Sequence, residues 1–381
     1  MSPWQVQLYN DLVTLCNNED RTFFYVDHKL EDKVYRVFAY HYATYADWQK
    51  PNALECRGAM FEMKDGAPVR LASLPMEKFF NVNENPFTQN LDFRQVVAYA
   101  EKMDGSLVST FMHGPFLKLK SKTSIRSEQA VDAMQFLAQP RQMDLFRALQ
   151  ALASHGFTTN LEWTSPKNRI VVSYAEPKLT VLNVRFNASG EYVHKDAICH
   201  MHPELRRYWC VEHPLHTELS HLADPIQYVK NLKGVEGFVL YFRNGLKAKL
   251  KSDWYVAMHR AKDTVSSERR LYEAIVEGGY DDLMSMWHED EGMKNRILEM
   301  HRIVNKAMTG LAVVYTFYND NKDLDRKSYA LKGQADYPEI FHLLMQIYSG
   351  KEPDFKTHMI KNIDRYLPKG QLGDIQASSE D

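Results

Sequence analysis

The chain has 381 residues, 44% of them hydrophobic and 25% charged, with 47 basic side chains against 49 acidic ones. That length fits two domains, each able to bury its own core, and the balance is that of an ordinary globular protein. A net charge of −2 excludes coating of nucleic acid by bulk charge but leaves room for a local basic site.

Four scattered cysteines (Cys16, Cys56, Cys199 and Cys210) do not make a disulfide framework, so a reducing, cytoplasmic setting is expected. The opening Met1-Ser2-Pro3-Trp4-Gln5 lacks the basic-then-apolar layout of a signal peptide. No apolar run approaches the roughly 20 residues of a membrane span, and no membrane partner is expected.

In chain order, Val34–Tyr40 is rich in β-branched and aromatic residues and reads as a strand. Glu101-Lys102-Met103-Asp104-Gly105-Ser106 then places a lysine at the mouth of a strand, ahead of a turn. Taken alone, such a string is better explained by turn formation than by a nucleophile. Ser106–Met112 is a strand, His113-Gly114-Pro115 a turn, and 116–122 the return strand. There Lys118, Lys120 and Lys122 alternate with Leu117, Leu119 and Ser121, which puts three ammonium groups on one face.

Two helices follow. One carries Val131, Met134 and Leu137 and is closed by Pro140; the other carries Leu145, Leu149 and Leu152 and ends at Gly156. Leu179–Phe186 is again a strand. Cys199, His200, His202, Cys210, His213, His216 and His221 then crowd into 23 positions. Cys and His suit zinc, but the spacing matches no closed-site pattern, and a surface or interface histidine cluster accounts for it better. Gly237–Phe242, a turn with Asn244-Gly245, and 246–251 form a second hairpin, with Lys247, Lys249 and Lys251 on one face.

One lysine row is the ordinary solvated face of an antiparallel sheet. Two rows without an intervening acid suit a multiply charged anion, such as a nucleoside triphosphate or a nucleic-acid end. They also predict a lowered pKa for Lys102, because neighbouring ammonium groups disfavour its charged form. Beyond residue 256 the period becomes helical, as in the stripe Met293, Ile297, Met300, Val304, Met308 and Leu311. The expected architecture is therefore α+β over 1–255, all-α over 256–370, and a flexible tail over 371–381.

These residues carry a family resemblance. Lys102-Met103-Asp104-Gly105, Glu162 in Leu161-Glu162-Trp163, Glu236-Gly237-Phe238 and Lys249-Leu250-Lys251 resemble, in order and separation, the motifs of covalent nucleotidyltransferases. That superfamily spans nucleic-acid ligases and messenger-RNA capping enzymes. Glu55-Cys56-Arg57-Gly58, Pro75–Asn81, Ser121-Lys122 and Lys251–Tyr255 are similar to the bacteriophage RNA ligase 1 family.

The resemblance implies a ligase-type domain of antiparallel sheets with flanking helices, followed by a helical domain that selects RNA. It implies Lys102 as the nucleophile toward ATP, with Glu162 on the ribose and Glu236 orienting nucleotide or metal. Tyr40, Arg57, Lys78, Lys122, Lys249 and Lys251 would line the nucleotide, and Tyr255 would serve ligation. Asp281, in Tyr280-Asp281-Asp282, matches a metal-associated position; read alone, it is also a normal helix-start acid. The cofactors implied are ATP and Mg²⁺, with Mn²⁺ as a substitute. The partner implied is RNA with 5′-phosphate and 3′-hydroxyl ends, such as nicked tRNA, and the protein would act as a monomer in the host-cell cytoplasm. Leu161 departs from the family pattern, where an aromatic is common. Capping-type or DNA-joining nucleotidyltransferases, and an RNA-binding module without chemistry, are the alternatives.

Overall fold

The structure is a computed structural model that describes the chain except for residues 18–21, 169, 211, 215–223, 288–289, 368–369, 371 and 376–381; for 212–214 it describes the backbone alone. The chain falls into two compact units, Met1–Val256 and Ala257–Asp381.

The first unit holds three sheets. The first comprises β1 (Phe23–Leu30), β2 (Lys33–Tyr40), β3 (Met60–Lys64) and β4 (Ala67–Ser73), an antiparallel meander in chain order. The helix Pro3–Cys16, opened by a Ser2–Gln5 capping box, lays Leu8, Leu12 and Leu15 into a core with Phe38 and Phe61.

Before the other two sheets come β5 (Phe80–Asn81), β6 (Val96–Lys102), β7 (Ser106–His113) and β8 (Phe116–Lys120). They are followed by β9 (Phe157–Thr164), β10 (Lys178–Phe186), β11 (Tyr192–Val193), β12 (Glu212–Pro214), β13 (Gly237–Phe242) and β14 (Lys247–Lys251). One sheet runs β11-β10-β9-β7-β8 and the other β12-β6-β13-β14-β5. Among the described residues the named strands pair antiparallel apart from the short parallel contact of β14 with β5, and Val181 of β10 makes one parallel bridge to Trp209.

Helices Glu128–Leu137 and Met143–Ser154 belong to the same core as the β7–β11 sheet. In the first of them Ala130, Ala133 and Leu137 face inward, whereas Val131 is 43% exposed. The apolar stripe is thus one residue out of phase with the valine, because close approach to a sheet favours the small alanines. In the second, Leu145, Leu149 and Leu152 are buried as the spacing predicts, and the chain turns at Gly156 with φ +81°.

Both lysine hairpins are present, with differences. The His113↔Phe116 pairing makes the first turn two residues long, and its return strand stops at Lys120 rather than Lys122. Lys118 is solvent-exposed while Lys120 has no exposure at all. Along the strand the row passes from solvent at Lys118 to complete cover at Lys120, and Lys122, past the strand end, is half-buried.

The second unit is helical. Its longest helix, Glu291–Leu311, buries Ile297, Met300, Val304 and Leu311 against Leu271, Phe317, Tyr329 and Leu344. No helix among the described residues is long and apolar enough to cross a membrane.

Candidate active site

Lys102 closes β6 and lies opposite Gly237 of β13, which lies opposite Lys251 of β14. The carboxylate of Glu236 bridges the two lysines, Oε2 at 2.8 Å from Lys102 Nζ and Oε1 at 3.2 Å from Lys251 Nζ. Glu236 is 2% exposed, so this shared carboxylate acts in a poorly solvated setting. Only glycine serves at 237. Its φ is +141°, and a Cβ there would stand 2.1 Å from the carbonyl oxygen of Leu250.

Beyond Lys102 the chain turns through Asp104, which is buried. Its Oδ2 accepts the amides of Val171 and Val172 at 2.7 and 2.6 Å, and its Oδ1 accepts the Tyr255 hydroxyl at 2.7 Å. The Asp104 amide donates to the Tyr174 hydroxyl at 2.9 Å. Next, the Gly105 amide donates to Glu162 Oε1 at 3.1 Å, which ties the turn to β9. Neighbouring Leu161 is fully buried in the sheet core between Val108 and Val181. Strand alternation thus points residue 161 away from Glu162, into the core rather than toward a ligand.

Cations collect on the other side. Lys122 Nζ stands 4.2 Å from the centre of the Tyr40 ring, and Lys78 Nζ lies 5.4 Å from it. Lys249 Nζ is 5.1 Å from the Phe79 ring, and Lys251 Nζ 5.2 Å from that of Tyr255. Arg57 Nη1 approaches the Met76 carbonyl at 3.4 Å. Tyr40, Arg57, Lys78, Lys102, Lys122, Glu162, Glu236, Lys249, Lys251 and Tyr255 thus all lie in the first unit, linked by these contacts and by the charge interactions that follow.

Electrostatics corrects one expectation. Burial pulls the Lys102 amine down, but Glu236, Glu162 and Asp104 outweigh it and hold its pKa above the ordinary lysine value. The nearest charge on Lys102 is the interposed carboxylate, not a neighbouring ammonium. The depressed amine is Lys249, lowered well below normal by burial and then by Lys102, Arg57, Lys78 and Lys251. Lys122 is lowered too, by burial and by Arg57 and Lys78 against the pull of Tyr40. For the Tyr40 phenol, burial acts upward, but Lys78, Lys122 and Arg57 prevail and lower it.

The remaining expectations divide. Lys247 pairs with Glu77 at 3.2 Å, and Lys118 stays at the solvent end of its strand. Asp281 is exposed in the first turn of the helix Tyr280–Met286, in the second unit. In the cysteine–histidine cluster, Cys199 and Cys210 are buried in the core of the β7–β11 sheet, His200 is exposed and His202 lies 3.3 Å from Glu204. His216 and His221 lie outside the described residues, as does the side chain of His213. Among the described residues one trio could hold a metal ion by proximity alone, Glu31, Asp32 and His113. Both of its carboxylates are exposed, and the histidine is occupied by Tyr35 at 2.9 Å and by Glu31 at 3.1 Å.

Sequence reasoning gave no role to Asp104 or Tyr174. Asp104 could have been suspected from its place in the lysine motif; Tyr174 carries no local signal.

Antiparallel sheets with flanking helices, a strand-end lysine among carboxylates and cations, and a separate helical unit define a nucleotidyltransferase-type ligase fold. The sequence matches the RNA ligase family over residues 55–255 and the C-terminal domain of T4 RNA ligase 1 over 262–371; the chain belongs to the T4 RNA ligase 1 family. A putative bifunctional polynucleotide kinase/RNA ligase of Autographa californica nuclear polyhedrosis virus is 27% identical over 353 residues, covering 85% of this chain and 48% of that protein. The chain thus spans about half the length of that relative. RNA ligase 1 of bacteriophage TS2126 is 26% identical over 330 residues, covering 83% of this chain and 78% of the relative. Among solved structures, an archaeal ATP-dependent RNA ligase covers 79% of each chain at 14% identity and a TM-score of 0.45.

Proposed function

We propose that this chain is an ATP-dependent RNA ligase that joins RNA 5′-phosphate and 3′-hydroxyl ends through a lysyl-AMP intermediate on Lys102. The observation that carries the reading is the Lys102–Glu236–Lys251 bridge at the end of β6, beside the Arg57, Lys78, Lys122 and Lys249 cations.

Lys102 Nζ attacks the α-phosphorus of ATP. An N–P bond forms, the bond from that phosphorus to the bridging oxygen breaks, and pyrophosphate departs. The amine must first lose its proton, and Glu236 Oε2 at 2.8 Å is placed to take it. Arg57, Lys78, Lys122 and Lys249 meet the negative phosphoryl oxygens, where fixed charge in a desolvated site acts most strongly. The arriving phosphates also favour the charged form of Lys249, so binding reverses the depression of its amine. AMP then passes to an RNA 5′-phosphate, and a 3′-hydroxyl displaces it to form the phosphodiester. Each step leaves on a good leaving group.

Glu236 would orient nucleotide or metal, its carboxylate being the hard donor that suits Mg²⁺, or Mn²⁺ in its place, while Glu162 would bind the ribose. Such an ion, bound with ATP, would neutralise phosphate charge. Asp281 keeps its assignment as a metal-associated residue within this proposal. Nicked tRNA, acted on by a monomer in the host-cell cytoplasm, is the proposed natural setting. The name of the baculovirus relative pairs a kinase with a ligase, and a polynucleotide kinase makes the 5′-phosphate that such a ligase consumes.

The test uses ATP labelled at the α-phosphate. The wild-type protein should carry acid-stable label, and Lys102→Ala should carry none. Label retained by the alanine variant would overturn the assignment, and GTP outperforming ATP would point to capping chemistry instead.

A further inference from the structure

Arg185 belongs to none of the motifs above, yet it is among the most completely engaged side chains of the first unit. It is 4% exposed near the end of β10. All five of its N–H groups have acceptors. Nε and Nη2 donate to the Gly190 carbonyl at 2.9 and 2.7 Å. Nη1 and Nη2 grip both oxygens of Glu55 at 2.8 and 2.7 Å, and the second proton of Nη1 goes to the Pro75 carbonyl at 2.8 Å.

The two segments it joins are those that carry the phosphate cations. Glu55 stands two residues before Arg57, and Pro75 three before Lys78. The segments also touch directly, through the Lys78 amide to the Leu54 carbonyl at 2.8 Å. A third strand is drawn in through Glu77, which lies 3.6 Å from Arg185, accepts the Tyr192 hydroxyl and pairs with Lys247. Lys247 is two residues before Lys249 on β14, which pairs in parallel with β5 just after Lys78. Without a bound anion, Arg57, Lys78 and Lys249 repel one another. Their backbone therefore needs an anchor that does not use the cations themselves.

We infer that Arg185 is a positioning residue for triphosphate binding, holding Arg57 and Lys78 in register through Glu55 and the Pro75 carbonyl. The inference rests on the ligase reading above and adds to it a residue that does not touch the nucleotide. It separates the two halves of the reaction, because ATP brings a triphosphate to the clamp and a preadenylylated RNA does not.

The experiment compares the wild-type protein with Arg185→Lys, which keeps the charge but loses the fork, and with Glu55→Gln, which keeps the shape of the partner but loses its charge. Lysyl-AMP formation is followed against ATP concentration, and sealing is followed separately on preadenylylated RNA. Both variants should raise KM for ATP about tenfold while kcat for lysyl-AMP formation stays within about threefold, the scale of one or two charge-assisted hydrogen bonds. Sealing of preadenylylated RNA should be unchanged within the same factor. An unchanged KM, or an equal fall in both steps, overturns the inference. If Arg185→Lys does not fold, Glu55→Gln decides by the same criteria. Failure of the wild-type protein to form lysyl-AMP would instead sink the ligase reading itself.

Discussion

Lys120 should make the first unit more stable as the pH rises, and replacing it should remove that trend. Its ammonium has no solvent exposure, and its hydrogen-bond acceptors are the carbonyls of Gly58 at 2.9 Å and Lys122 at 3.4 Å. Burial first, and then Arg57, bring its pKa down to about 7 from 10.5. Between those values the unfolded chain holds a proton that the folded chain has lost, so stability grows with pH across that window. The penalty is present in full below pH 7 and is relieved by pH 10.5. The gap corresponds to about 5 kcal/mol over the whole window, and to about 2 kcal/mol between pH 7 and 9.

Lys120→Met keeps the length and loses the charge, leaving two carbonyls short of a donor at a cost of about 1–3 kcal/mol each. Relative to the wild-type protein, the variant should therefore lose about 2 kcal/mol of stability from pH 7 to 9, on top of a pH-independent offset from the lost hydrogen bonds. Denaturant unfolding of both proteins, followed by tryptophan fluorescence at pH 6, 7, 8 and 9, measures this difference. Two stability curves that run parallel across the range would refute the reasoning. Other titrating groups, Lys249 included, contribute equally to both proteins and cancel.

Two further outcomes follow from the bridge and the turn beside it. Glu236→Gln removes the charge that holds Lys102 protonated, so burial and the neighbouring cations should lower the Lys102 pKa; NMR titration of its side chain reads this, and an unmoved midpoint contradicts it. Tyr255→Phe deletes a hydroxyl donor to the buried Asp104 carboxylate and should destabilise the first unit by about 1.5–3 kcal/mol, seen as a lower unfolding midpoint. An unchanged midpoint would mean that Asp104 is satisfied by its two amide donors alone.

Much of this architecture could be read from residue order. Strands announced themselves by β-branched and aromatic runs, and helix Met143–Ser154 by leucines at 145, 149 and 152. Turn chemistry marked both lysine hairpins. What could not be read was depth: alternation assigns Lys118 and Lys120 to one face but does not say that Gly58 lies over the second and solvent over the first. For the same reason the sign of the Lys102 shift was missed. Two lysine rows gathered around Lys102 suggest mutual repulsion, whereas the fold inserts Glu236 between Lys102 and Lys251. Arg185 and Glu55 were equally invisible as a pair, being 130 residues apart; Glu55 opens a motif, but nothing local marks Arg185 as its partner.

The salt-bridged state of Lys102 bears on covalent ligand design. With its amine against Glu236 and its pKa held above the ordinary lysine value, Lys102 is disfavoured toward a small electrophile entering the nucleotide-free protein. Lys249, lowered well below the ordinary value by burial and by Lys102, Arg57, Lys78 and Lys251, is disfavoured less. A lysine-directed warhead is therefore better aimed at Lys249 than at Lys102, which Glu236 holds at 2.8 Å.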